Sequence, residues 1–236
     1  AGAVALPVNG EAWQVMRLSR NRMWGHPDLI SFLERFAKTA KEKDGWNGLL
    51  VGDISQPRGG PMLTGHNSHQ IGLDADIWFT PMPSRTLSNA ERESTSATNM
   101  LKEGTREANL DVLSDRHIKV VRRASLDPLV ERIFVHPGIK KAMCDWQDRV
   151  GGDRTWLNKV RPIYGHNYHF HIRIGCPAGM AGCKPQDKIP GNDGCGEEIA
   201  WWLGPEPWKP SPPGKPKPPM KLADLPPECS QVLVSN

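Results

Sequence analysis

The chain has 236 residues, of which 24% are charged and 38% hydrophobic, and its formal net charge is +4. This length is enough for one sizeable core or two small ones. The mild positive charge suits an anionic partner such as a cell-wall polymer, but no basic run is interleaved with aromatic residues as on a nucleic-acid surface, and no apolar run reaches the roughly 18 residues of a membrane span.

The hydrophobic pattern predicts a mixture of helices and strands after an extended, partly irregular start. In chain order we predict a helix over 27–43, a strand over 48–54, a strand over 73–79, a long polar loop over 81–113, a helix over 115–125, a strand over 131–136, two short helices beginning at 137 and 153, a strand over 168–174 and a helical turn over 197–203. Long loops of this kind are typical of lids or walls of substrate sites.

The first segment rich in metal-binding residue types is 65–80, GHNSHQIGLDADIWFT. His66 and His69 are three residues apart, and Asp76 follows His69 after six residues. Asp74 and Asp76 share the face of the predicted strand that is not apolar. Two carboxylates on one face are costly unless a cation or a solvent cleft receives them.

The second segment is 165–174, GHNYHFHIRI. His169 and His171 alternate with apolar residues and therefore point to the same face of a strand, with His166 just before it. A single histidine of this kind is usually an ordinary core or solvated side chain. The combination with the first segment predicts a metal site, because imidazole and carboxylate together bind zinc and other late transition metals.

A catalytic zinc needs three protein ligands and an open position for water. His69, Asp76 and one histidine of the pair 169/171 would complete such a set, and the spacing leaves open which of the two it is. The other histidine and His166 remain for the roles of general base and oxyanion stabiliser in a hydrolysis.

The five cysteines, four of them in the last third of the chain, show no C-x-x-C spacing. This argues against a structural zinc site and favours disulfides formed in an oxidising compartment, with one cysteine left over. Residues 204–227 are proline-rich and predict an extended strap or spacer. We therefore predict one domain over residues 1–203 followed by a proline-rich tail over 204–236.

The order H-x6-D followed by a distant H-x-H resembles the LAS group of zinc peptidases, which includes lysostaphin-type enzymes, D-Ala-D-Ala peptidases and the hedgehog domain. Longer segments closely resemble penicillin-insensitive murein endopeptidases over nearly the whole chain: WQVMR (13–17), GHPDL (25–29), GHNSHQIGLDADI, RIFVHPGIK and HNYHFHIRIGCP. The resemblance implies an α+β fold in which a central antiparallel sheet carries the zinc site, flanked by helices and long loops. It also implies an exported, periplasmic enzyme that cuts D-Ala–meso-diaminopimelate cross-links between peptidoglycan stem peptides and is not inhibited by penicillin.

Carried over residue by residue, the resemblance implies that His69, Asp76 and His171 are the zinc ligands and that His66 lies beside the metal. It also implies that His169 is the general base and that His166 assists it. Some family members are described with a second metal. That position is not carried over, because residues 103–106 offer no histidine in the corresponding region. Substrate-binding residues are not assigned.

The resemblance also implies the disulfides Cys144–Cys195 and Cys176–Cys183. Family members have a further cysteine near the mature N-terminus, which this sequence lacks, so Cys229 is expected to be unpaired here.

Three alternatives remain open at this point. A D,D-carboxypeptidase or dipeptidase of the same zinc class would share the metal set but needs a closed groove with a cationic group for a terminal carboxylate. A non-catalytic zinc-containing cell-wall-binding module would not require both His166 and His169. A non-haem iron oxygenase uses two histidines and a carboxylate, but its usual H-x-D/E spacing is absent.

Overall fold

A computed structural model describes residues 2–62, 68–180, 182–210, 218–219, 221–225 and 227–234. The α-helices are α1 (Pro27–Asp44), α2 (Asn89–Ser94), α3 (Asp115–Ser125), α4 (Pro137–Val150), α5 (Glu197–Leu203) and α6 (Glu228–Val234). The strands are β1 (Val4–Ala5), β2 (Asn9–Gly10), β3 (Trp13–Val15), β4 (Trp24–Gly25), β5 (Leu49–Val51), β6 (Asp74–Trp78), β7 (Val130–Val135), β8 (Val160–Pro162) and β9 (His169–Ile174). Short 3-10 turns occur at Leu18–Arg20, Thr155–Lys159, Glu206–Trp208 and Leu222–Asp224.

Helix α1 begins and ends where the sequence predicts. Pro27 occupies the first turn, and His26 caps it by accepting a hydrogen bond from the backbone N–H of Asp28 at 3.2 Å. Gly45 ends the helix in the left-handed conformation, with φ of 65°. The apolar stripe of α1 is buried, and Phe36 packs edge-on against Phe170 of β9.

A seven-stranded sheet has the order β2-β3-β5-β6-β9-β7-β8. In the central run β5-β6-β9-β7 each strand is antiparallel to its neighbours, whereas the pairs β3–β5 and β7–β8 are parallel. The predicted α+β class with a central antiparallel sheet is thus confirmed. Apolar residues of β6 and β9 join one core cluster with α1 and α3, so the alternate residues of both strands lie on the other face.

Gly72 fixes the point at which β6 begins. Its φ is 71°, and its carbonyl accepts a hydrogen bond from the backbone N–H of His26 at 2.8 Å. A Cβ here would lie 3.0 Å from Gly25 Cα and from that same backbone nitrogen. A side chain would therefore clash with backbone in a conformation that already favours glycine.

Three predicted elements differ from the structure. The polar stretch 81–113 contains α2, which Ser88 and Glu91 start with a reciprocal capping box. Helix α4 has 14 residues rather than a short run. The helix predicted at 153–160 is a 3-10 turn. Polar loop composition masked α2, although its S-x-x-E signature is visible in the sequence.

The disulfide predictions are confirmed. Cys144 of α4 is bonded to Cys195, and Cys176 to Cys183, with Cα–Cα distances of 5.7 and 5.8 Å, while Cys229 is free. No helix in the described part of the chain combines the length and apolarity required to cross a membrane. The boundary between a domain over 1–203 and a tail over 204–236 stays a prediction.

Candidate metal centre and active site

The neighbouring strands β6 and β9 bring the acidic and histidine segments together. Their antiparallel register sets Asp76 opposite His171 and Trp78 opposite His169. These side chains lie on the sheet face away from the α1–α3 core, because their neighbours Ile77 and the other alternating residues fill that core.

Three side-chain atoms converge at this face. Nε2 of His69 lies 3.1 Å from Nδ1 of His171 and 3.3 Å from Oδ1 of Asp76. Nδ1 of His171 and Oδ1 of Asp76 are 3.0 Å apart. In a tetrahedral zinc site with bonds of about 2.0 Å, ligand atoms are roughly 3.3 Å apart. All three residues are buried. The spacing therefore fits a small divalent ion.

Outer contacts fix which ring nitrogen faces the centre. His69 Nδ1 lies 2.7 Å from the carbonyl oxygen of Ile54, which can only accept, so Nδ1 carries the proton and Nε2 the free lone pair. His171 Nε2 lies 2.9 Å from Oδ1 of Asp74, which leaves Nδ1 as its free nitrogen. Histidine ligands of metals are typically oriented in this way by carbonyl or carboxylate partners.

The charges at the centre also call for a cation. Asp74 and Asp76 are buried, and within the described ranges the guanidinium that pairs with Asp74 is that of Arg173, at 2.6 Å. With neutral histidines one negative charge is left over. Burial by itself lowers the pKa of His171, but its hydrogen bonds and the charges of Asp74 and Asp76 raise that pKa to about 9. A metal ion or a proton balances the site, and the ligand set fits the metal.

His169 and His166 lie beside this centre. Nε2 of His169 is 3.5 Å from Oδ1 of Asp76, and its Nδ1 is buried without a hydrogen-bond partner among the described residues. Burial lowers the pKa of His169 to about 4, so its imidazole is neutral at pH 7. The ring of His166 is 4.7 Å from that of His169, and its Nδ1 donates to the carbonyl oxygen of Tyr164 at 2.8 Å.

An aromatic cluster stands behind His166. The ring of Tyr164 lies 5.0 Å from Trp202 of α5 and 5.0 Å from Trp208, in edge-to-face geometry. This segment follows Cys195, so the disulfide to α4 anchors the chain that supports the His166 turn.

Backbone strain is concentrated in two regions. Of the described residues other than glycine, four have a positive φ: Arg17, Asn21, His69 and His166, with φ of 54°, 50°, 63° and 56°. Two of these are site histidines. Such conformations cost about 1–3 kcal/mol each and persist where the surrounding structure requires a side chain in that place.

Five of the six predicted site residues thus come together, and His66 lies outside the described residues, so its place beside the metal stays a prediction. The other histidines have local tasks: His26 and His136 cap α1 and α4, and His117 is hydrogen-bonded to Ser114 at the start of α3. Among the described residues one cluster has metal-ligand geometry.

Sequence reasoning put Asp74 with Asp76 on the polar face of a strand, but it assigned no group to positioning the ligands, and the structure has three such groups at the centre. These are Asp74, the carbonyl of Ile54 and Arg173. The signal for two of them was present, since Asp74 and Arg173 each lie two residues from a predicted ligand and therefore on the same strand face. The carbonyl of Ile54 carries no sequence signal.

Comparison with known proteins identifies the family of this chain. A family model described as penicillin-insensitive murein endopeptidase matches residues 1–234. A relative from Haemophilus influenzae is 43% identical over 239 residues, which span 99% of this chain and 79% of the relative. Relatives from Yersinia enterocolitica and Klebsiella pneumoniae are 39% and 38% identical, each over 98% of this chain and 81% of the relative. All three are named penicillin-insensitive murein endopeptidase.

Proposed function

The chain belongs to the family of penicillin-insensitive murein endopeptidases, and from that premise we propose that it hydrolyses the D-Ala–meso-diaminopimelate cross-links of peptidoglycan at a zinc site formed by His69, Asp76 and His171. Family membership makes it a murein endopeptidase. The identity of the metal, the bond that is cut and the role of each residue are the proposed parts.

The observation that carries the proposal is the convergence of three correctly oriented ligand atoms within 3.0–3.3 Å next to a neutral histidine. A non-catalytic metal site has no need of His169, whose Nδ1 is buried without a partner among the described residues. A catalytic site has a use for it, because amide hydrolysis requires a group that accepts a proton from water and returns it to the leaving nitrogen.

When bound, zinc would lower the pKa of a water molecule toward about 7 and polarise the scissile carbonyl. His169 accepts the proton of the attacking water on its neutral ring. The oxygen then forms the new bond to the carbonyl carbon, the C–N bond breaks, and His169 returns the proton to the leaving amine. The neutral state of His169 at pH 7 is what this step requires.

His166 suits a supporting role of a particular kind. Because its Nδ1–H donates to the carbonyl of Tyr164, its neutral ring offers Nε2 as an acceptor. Burial lowers the pKa of His166, which favours this neutral form. We therefore assign His166 to holding the attacking water or sharing its proton, rather than to donating a hydrogen bond to the oxyanion.

Asp74, the carbonyl of Ile54 and Arg173 position the ligands. Asp74 accepts from the ring of His171 and is itself held by Arg173, so ring and carboxylate form one connected network. We further propose a periplasmic location, since two disulfides form in an oxidising compartment and the proposed substrate is the cell wall.

Mass spectrometry of cross-linked muropeptide dimers tests the function. Conversion of dimers to monomers is expected, EDTA should abolish it, and a β-lactam should leave it unchanged. Loss of a terminal D-alanine with the dimer intact would replace the endopeptidase with a carboxypeptidase. Cleavage that persists after the metal is removed and verified absent would refute the metal mechanism. Inhibition by penicillin would point to a serine enzyme.

A further inference from the structure

A cavity of about 250 Å³ opens directly beside the proposed centre. Its lining includes Arg17, Arg20, Trp78 and His169, together with the carboxylates of Asp53 and Asp76. The mechanism above uses neither arginine. Two guanidinium groups that line a cavity beside the proposed centre can receive a negatively charged part of the substrate.

Arg17 is held in place without being neutralised. Its Nη1 and Nη2 donate to the carbonyl oxygens of Arg92 and Thr95, at 3.3 and 2.8 Å, and its guanidinium lies 5.5 Å from the ring centroid of Trp78. No carboxylate of a described residue forms an ion pair with it. Carbonyl partners fix the orientation of the guanidinium but leave its full charge available to the cavity.

Arg20 shares one acid with a second arginine. Nη1 of Arg20 and Nη1 of Arg22 contact the same oxygen of Asp53, at 3.1 and 2.8 Å. The next acid, Glu93, accepts from the backbone N–H and the hydroxyl of Ser19. Asp53, which also lines the cavity, is thus shared by two guanidinium groups and does not neutralise both of them. Arg20 is 47% exposed, so it can contact a ligand.

The backbone that carries these arginines is strained on both sides. Arg17 and Asn21, with φ of 54° and 50°, bracket the turn Leu18–Arg20. Elsewhere in the described chain, residues other than glycine adopt a positive φ only at His69 and His166, which belong to the active site. The turn therefore shares with the site histidines a strain that indicates a fixed functional placement.

We propose that Arg17 and Arg20 bind the carboxylate that stands on the carbon attached to the scissile nitrogen. This rests on the proposed function. In a D-Ala–meso-diaminopimelate cross-link, that carbon bears a free carboxylate, which lies within about 4 Å of the carbonyl carbon under attack. With the carbonyl at the metal, the carboxylate reaches the cavity between His169 and the arginines. The arginines thereby select the residue on the leaving side and orient its amide for attack.

Two synthetic cross-linked peptides test the proposal: one with this carboxylate free and one with it converted to the carboxamide. The wild-type protein should cleave the free acid with a kcat/KM roughly 10- to 100-fold above that of the amide, the range expected for a charged hydrogen-bonded contact. In Arg20→Met this ratio should fall at least about threefold, mainly through KM for the acid, to the part that Arg17 supplies, and Arg20→Lys should restore part of the loss.

Arg22→Met is the matched control, because Arg22 binds the same oxygen of Asp53 but does not line the cavity. It should keep the wild-type ratio. Equal cleavage of acid and amide by the wild-type protein would overturn the subsite while leaving the endopeptidase intact. If the wild-type protein cleaves neither of the two peptides and does not cleave muropeptide dimers, the proposed function itself is overturned. If Arg20→Met lowers the melting temperature by more than Arg22→Met does, a second measurement avoids the variants. The wild-type protein is inhibited with the amine product that carries the free carboxylate and with the carboxamide of that product. Equal inhibition by the two compounds would also overturn the subsite.

Discussion

Asp74 offers the sharpest test of how the centre is held together. It is buried, accepts from Nε2 of His171 at 2.9 Å and from Arg173 at 2.6 Å, and lies 3.3 Å from the backbone nitrogen of His69. Asp74→Asn keeps the shape and removes the charge. One of its two oxygens becomes an NH2 group, which must then either face the guanidinium of Arg173, itself a donor, or donate a hydrogen bond to Nε2 of His171.

If the new amide donates to Nε2 of His171, the ring proton moves to Nδ1, the atom that faces the metal. Loss of an outer-shell partner typically costs 10- to 100-fold in metal affinity. We expect at least roughly 100-fold here, about 2.7 kcal/mol, because the wrong ring tautomer and the loss of one negative charge act together.

Metal affinity is measured by competition with a chromophoric chelator, beside activity at saturating zinc. Asp115→Asn, at a surface acid paired with Arg149, serves as the matched substitution and should change neither. A wild-type affinity in folded Asp74→Asn would refute the assignment of Asp74 as the partner that orients His171.

Three further predictions address other parts of the chain. His169→Ala should retain the metal and lose roughly 100-fold or more in kcat, and a variant with wild-type activity would remove His169 as the base. Burial lowers the pKa of Lys140 to about 7, so the unfolded chain binds more protons than the folded one between about pH 7 and 10.5. The free energy of unfolding should therefore rise with pH across that window. Denaturant titrations of Lys140→Met should lack this rise. Replacing Cys144 and Cys195 by serine opens a link with a sequence separation of 51 and should lower the free energy of unfolding by about 4 kcal/mol; a loss under about 1 kcal/mol in denaturant titration would contradict this.

The sequence carried much of the fold because its local signals agree with the final packing. Pro27 and Gly45 mark the ends of α1, and alternation after Gly72 identifies the polar face of β6. Helix α2 was missed, since a single capping box within a polar stretch is a weaker signal than hydrophobic periodicity.

The site was harder to predict, because it depends on pairing between segments almost a hundred residues apart. Strand alternation puts His169 and His171 on one face without distinguishing them. Their difference arises from register, which sets His171 opposite Asp76 and His169 opposite Trp78. The cavity position of Arg17 and Arg20 was missed for a similar reason. The distance of these two arginines from Asp76 depends on the parallel pairing of β3 with β5, which the sequence does not show.

The aromatic support behind His166 has a consequence for the order in which the protein matures. Trp202 and Trp208 follow Tyr164 by about forty residues, and the segment that carries them is tied to α4 through Cys195. During synthesis the sheet that carries the proposed metal ligands emerges before this segment. The turn that presents His166 gains its aromatic support only after the segment with Trp202 and Trp208 has docked. We therefore expect the folding chain to acquire hydrolytic activity only after this segment has packed against Tyr164.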